Sequence, residues 1–132
     1  MTPLPYLSEE WRAEAERRLK AELTPEQLNR TNASMSNVHL DCPGGGTKYV
    51  LFRFKDGALT TLAIGPGEPP EAEFHLTGSY EVMVKILRAE LGAKKALMSG
   101  QIKLKGNMFK AMQLASVAEK VDKILSGIPT EY

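Results

Sequence analysis

The sequence predicts an α+β domain spanning residues 1–132, a mostly antiparallel sheet with helices before and after it. Three observations lead there. Apolar residues recur with helical spacing near the N-terminus, alternate after Asn32, and return to helical spacing from Ser79. Asp56-Gly57, set between two alternating runs, is a strong hairpin signal. A chain of 132 residues, 42% hydrophobic and 25% charged, has the size and balance of one globular unit able to bury a core.

The elements follow in order. Ser8 is placed to cap a helix, with Glu9 and Glu10 in its first turn and Trp11, Ala15, Leu19 and Leu23 every four residues along one side. Thr24-Pro25-Glu26-Gln27 reads as a capping box that restarts a short helix. Met35–Cys42 alternates, with Val38, Leu40 and Cys42 on one face and His39 and Asp41 on the other. Pro43-Gly44-Gly45-Gly46 makes a turn. Lys48–Lys55 and Ala58–Ile64 form the hairpin, with Val50, Phe52, Phe54, Leu62 and Ile64 inward. Ala72, Phe74 and Leu76 give a fourth strand, read as completing an antiparallel meander.

Ser79 is a second cap, for a helix whose stripe is Tyr80, Met83, Val84, Leu87 and Leu91; Gly92 ends it, and Ala93–Met98 adds a short turn of helix. A fifth strand, Gln101–Lys105, alternates Ile102 and Leu104 with Lys103 and Lys105. Asn107 caps one last helix with the stripe Met108, Ala111, Met112, Ala115, Ala118 and Val121, closed by Gly127 and Pro129.

Several function classes are disfavoured. One cysteine, Cys42, rules out an intramolecular disulfide, argues against a thiolate zinc site, and makes a reducing, cytoplasmic setting the default. No apolar run approaches the roughly eighteen residues of a membrane span. MTPLPYLSEEW lacks the character of a signal peptide, and GIPTEY carries neither a lipidation signal nor a peroxisomal address, so a soluble protein is expected. Net charge is only +1, against a dedicated nucleic-acid binder. The balance is uneven: residues 1–82 hold 8 basic and 12 acidic side chains, and residues 83–132 hold 9 and 4. That basic excess is a solvated surface or a patch facing an anionic lipid surface or a phosphate.

No catalytic set emerges. Gly44-Gly45-Gly46-Thr47-Lys48 lacks the frame of a phosphate-binding loop and leads into a strand. The alternation sets His39 and Asp41 opposite Cys42, which then reads as a small buried hydrophobe, and His75 shares an outer face with Glu73 and Thr77. Two histidines without metal-ligand spacing predict no metal and no cofactor. What remains is apolar: four of the six methionines fall between Met83 and Met112, and methionine suits a wall that adapts to its contents.

The string Gly100-Gln101-Ile102-Lys103-Leu104-Lys105-Gly106-Asn107-Met108, followed by Ala111-Met112-Gln113-Leu114, resembles the C-terminal signature of the sterol carrier protein type 2 family of lipid-transfer domains. The resemblance is specific at residues 99–114 and extends as an order of elements from about residue 8 onward. It implies a five-stranded sheet covered by helices and enclosing an apolar tunnel, and non-covalent carriage of fatty acids, fatty acyl-CoA, sterols or phospholipids. The charged helix before the sheet departs from that pattern and suits a free-standing prokaryotic form, so fatty acid or acyl-CoA is expected over sterol.

On this reading the cavity wall is Phe52, Phe54, Phe74, Met83, Val84, Leu87, Met98, Ile102, Leu104, Met108 and Met112, with Lys94, Lys95, Lys103 and Lys105 offered to an anionic head group. Met108 and Met112, one helical turn apart, reach the same alkyl chain. The competing reading is an interaction module of the same fold, whose apolar groove takes a partner helix or a second copy. A carrier is expected to be monomeric and to co-purify with lipid, and an interaction module to self-associate or stay free of lipid.

Overall fold

The computed structural model describes residues 2–132, which fold in the order β1 (Leu4–Pro5), α1 (Glu9–Glu22), β2 (Ala33–Leu40), β3 (Lys48–Lys55), β4 (Ala58–Pro66), β5 (Phe74–Ser79), α2 (Tyr80–Leu87), α3 (Ala93–Met98), β6 (Ile102–Lys105), α4 (Met108–Gln113), α5 (Ala115–Ser126) and β7 (Thr130–Glu131). The architecture is α+β, and the caps expected from sequence are made. The backbone N–H of Trp11 donates to Ser8 Oγ at 3.2 Å, that of Val82 to Ser79 Oγ at 3.2 Å, and that of Lys110 to Asn107 Oδ1 at 3.1 Å. Along α1, Trp11, Ala15 and Leu19 are buried, as their spacing requires.

Five strands form a mixed sheet in the order β4-β3-β2-β5-β6, antiparallel except where β5 runs parallel to β2. This corrects the expected meander. β5 does not continue beside β4: the loop 67–73, with Pro69 and Pro70, returns the chain past the β3–β4 hairpin to the free edge of β2. A parallel neighbour needs such a crossover. The hairpin itself turns at Asp56 and Gly57, both with positive φ (50° and 78°), the geometry that lets two strands keep their twist.

Register fixes which side chains face the helices, since residues directly opposite across a ladder share a face. One row runs Leu104–Leu76–Asn37–Val50–Ile64 and the next Phe74–Met35–Phe52–Leu62. In β2 the inward residues are therefore Met35, Asn37 and His39, while the more apolar face of Val38 and Leu40 points away from the helices, Val38 nonetheless being buried there. Leu40 is exposed, whereas His39 is only 1% exposed. A strand carrying polar residues on both faces gives alternation no handle on direction.

Three further differences have local causes. The capping box at Thr24 forms in both directions (Thr24 N to Gln27 Oε1 2.8 Å, Gln27 N to Thr24 Oγ1 3.2 Å), yet turns replace the expected helix. Asn29 and Arg30 take positive φ there, and Leu28 is buried. The last helix is two helices, broken at Leu114 (φ −91°, ψ 1°). A two-stranded parallel sheet, β1 with β7, ties the two ends of the chain together, and Trp11 Nε1 donates to Thr130 Oγ1 at 3.2 Å beside it.

The main core lies where α1 and α5 cover β3 and β4: Trp11, Ala15 and Leu19 meet Val50, Phe52, Leu62, Val121 and Leu125. A smaller core beside β6 joins Met83, Ala96 and Ile102. Gly106 makes the turn from β6 into α4 with φ +134°, and a Cβ there would lie 2.5 Å from the Glu73 carbonyl oxygen. Only glycine fits.

Candidate functional site

Between the inward face of the sheet and helices α3, α4 and α5 lies an apolar cavity of about 240 Å³. The sheet contributes Phe52, Phe54, Phe74, Ile102 and Leu104, and α4 contributes Met108 and Met112. A second chamber of about 70 Å³ adjoins it, the two sharing Met35, Phe52, Leu76, Ala93, Ile102, Ala118, Val121 and Asp122 as walls. Met83 and Leu87 from α2 line only this inner chamber, together with Trp11, Tyr6, Asn37 and His39.

Of the residues expected on the wall, two stand elsewhere. Val84 is buried but borders neither chamber, and Met98 is 80% exposed at the end of α3. Of the four lysines offered to a head group, Lys94 alone borders the cavity. Lys103 and Lys105 alternate with Ile102 and Leu104 and so lie on the opposite face of the sheet, and Lys95 does not reach the wall. A lysine that alternates with wall residues cannot also serve the cavity.

The two ends of the cavity differ. At the open end no residue of α4 is buried: Met108 and Met112 are half exposed or more, and Phe109 is 74% exposed. Lys110 of α4 pairs with Glu73, just before β5, an exposed contact that holds the helix across the cavity. At the inner end the polar groups are organised. Tyr6 Oη and His39 Nε2 lie 3.0 Å apart, and His39 Nδ1 is 3.2 Å from the Asn37 carbonyl oxygen. Both ring nitrogens of His39 are therefore engaged.

Burial lowers the pKa of His39 to about 4, against the opposing pull of the Asn37 carbonyl, so the imidazole is neutral near pH 7. Burial likewise raises Tyr6 well above the usual tyrosine value, so its hydroxyl keeps its proton and donates to His39 Nε2. Its ring packs edge-on against Trp11, with centroids 4.9 Å apart, and near those of Tyr80 and Tyr132. Cys42 is buried, its Sγ set 3.3 Å from the His39 carbonyl oxygen rather than paired with a ring nitrogen. Among the described residues no group of three or more His, Cys, Asp or Glu side chains gathers as a metal site.

Among the cavity residues that sequence reasoning missed, the polar or flexible ones are Tyr6, Met35, Asn37, His39 and Asp122. Asn37 and Met35 were hidden by the reversed face of β2. Asp122 follows Val121 at the edge of the α5 stripe and looks solvated, yet it borders both chambers. Burial in this apolar wall, with Glu119 adding repulsion, raises its pKa to about 7.

The geometry is that of a helix-covered sheet with an apolar cavity open beneath a lightly packed helix. Residues 13–119 match the SCP-2 sterol transfer family. Over 97 residues the chain is 36% identical to the oleate-induced peroxisomal protein POX18 of Candida maltosa, covering 74% of each. A crystal structure of sterol carrier protein 2 superposes with a TM-score of 0.80 at 21% identity, over 93% of this chain and 98% of that one. The solution structure of sterol carrier protein domain 2 of Helicoverpa armigera gives 0.65 at 20% identity, covering 93% and 94%. The chain belongs to the SCP-2 sterol transfer family.

Proposed function

We propose that this protein is a non-catalytic carrier of single-chain lipids, fatty acid or fatty acyl-CoA, which it holds in the cavity under α4 and exchanges at an anionic membrane surface. The observation that carries this reading is the contrast at the cavity's open end: an apolar wall of Phe54, Phe74, Leu104, Met108 and Met112 faces a volume of about 240 Å³ that the chain's own side chains leave open. Each methylene removed from water is worth roughly 0.8 kcal/mol, so a sixteen-carbon chain gains on the order of 10 kcal/mol before ordering costs are subtracted. What is left suits reversible binding.

Lys94 at the wall is the cation placed to meet a carboxylate or a CoA phosphate. The exposed Phe109, beside the half-exposed Met108, offers apolar side chains to a bilayer surface. A free, buried Cys42 is compatible with a reducing compartment such as the cytoplasm.

The test is displacement of a fluorescent fatty acid by palmitate, palmitoyl-CoA and a sterol, after stripping any lipid carried through purification. A folded Met108→Asp, Met112→Asp double variant is run beside the wild type. Saturable binding that the variant loses supports the carrier, and the order of competitors names the ligand class. Absence of binding by the stripped wild-type protein overturns it in favour of an interaction module.

A further inference from the structure

The inner chamber carries polarity that holding an alkyl chain does not require. Asn37 sits in the middle of the inward row Leu104–Leu76–Asn37–Val50–Ile64, where every neighbour is aliphatic. Its Oδ1 is buried with no hydrogen-bond partner. A buried acceptor left without a donor costs stability, and an aliphatic residue would fit that row at less cost. Asp122 faces the same chamber from α5, with no hydrogen bond or ion pair among the described residues. His39 is not available to a guest, since Tyr6 and the Asn37 backbone occupy both its nitrogens.

We propose that the inner chamber recognises an uncharged hydroxyl at the end of a bound lipid, which donates its hydrogen bond to Asn37 Oδ1. The inference rests on the carrier reading and specifies what the carrier selects. The charges of the chamber decide the class. Neither lysine nor arginine lines it and His39 is neutral, so an ionised carboxylate finds no counter-ion there. A fatty acid therefore keeps its head at the Lys94 end. A hydroxyl fits the inner end, because it offers the donor that Asn37 lacks and lone pairs for whatever proton Asp122 carries. Long-chain alcohols and lipids with a terminal hydroxyl are the ligands so selected.

The experiment compares two competitors of nearly equal length against the same fluorescent fatty acid: 1-hexadecanol, and hexadecyl methyl ether, which accepts a hydrogen bond but cannot donate one. In the wild-type protein the alcohol should displace the probe at roughly five- to tenfold lower concentration. In Asn37→Leu that ratio should fall to within about twofold. In the wild-type protein the alcohol, and not the ether, should also shift the side-chain amide resonances of Asn37 in an NMR spectrum, a reading that needs no variant to fold. Equal competition by alcohol and ether in the wild type, or a ratio that survives in Asn37→Leu, overturns the inference while leaving a carrier of undecorated chains. Failure of the probe itself to bind overturns both.

Discussion

The helices on either side of Leu114 lie one after the other in the chain and are held quite differently. α5 buries Val117, Val121 and Leu125, four residues apart, against the core. α4 buries none of its six residues and is tied down by the Asn107 cap and by the contact of Lys110 with Glu73. The first anchors the sheet to α1, and the second covers an open cavity. One length of chain thus supplies a tightly packed wall and a loosely seated cover, and local opening costs little where few apolar contacts are lost.

Truncating one side chain in the core that α5 packs on, and one in α4, should have very different effects. Trp11→Ala removes the large buried side chain packed against Val121 and Leu125, and should cost about 3–5 kcal/mol of stability in denaturant unfolding. Met112→Ala, at a position 61% exposed, should stay within about 0.5 kcal/mol. Similar losses at both sites would mean that α4 is part of the core.

The pH dependence of stability sharpens it further. Asp122 has its folded pKa raised to about 7 from 3.8, so the folded protein binds this proton more tightly than the unfolded chain does. Its share of stability is complete below about pH 4 and is lost as pH rises through about 7. His39 works the other way. Its folded pKa is lowered to about 4 from 6.5, so stability rises with pH across that window and the two slopes oppose each other. The difference between wild type and Asp122→Asn isolates the first. The variant should gain on the order of 2 kcal/mol relative to wild type at pH 8 and nothing at pH 4. A gain that is the same at both pH values would show that Asp122 carries its charge in water.

The smallest effect belongs to the exposed pair that seats the cover. Glu73→Gln should change stability by less than about 0.5 kcal/mol, as surface ion pairs do. Release of a fluorescent fatty acid in stopped flow should nonetheless quicken, by about two- to threefold. An unchanged release rate would place the exit elsewhere than beneath α4.

Much of this organisation is written locally in the sequence. Caps at Ser8, Ser79 and Asn107, the Asp56-Gly57 turn and the four-residue spacing in α1 each depend on residues within one turn of one another, and each forms. What lay beyond reach depends on distant partners. The face of β2 is decided by what packs on it, and Tyr6, more than thirty residues away, makes His39 an inward residue. The pairing of β5 with β2 is set by which strand edge is free. Two-residue strands at Leu4 and Thr130 have no period to detect. For the cavity, Phe52, Phe74, Ile102, Met108 and Met112 could be read from alternation and helical spacing, but Asn37 and Asp122 look like solvated residues until the sheet and α5 are brought together.

Trp11, the chain's one tryptophan, lines the inner chamber and reports directly on whether a lipid chain enters it. Titration with fatty acids brominated near the methyl end should quench its fluorescence saturably, at the concentrations that displace the fluorescent probe. Bromination near the carboxyl end should quench it less, since that end stays with Lys94. Displacement of the probe without quenching from any bromine position would put the lipid outside the cavity and contradict the account.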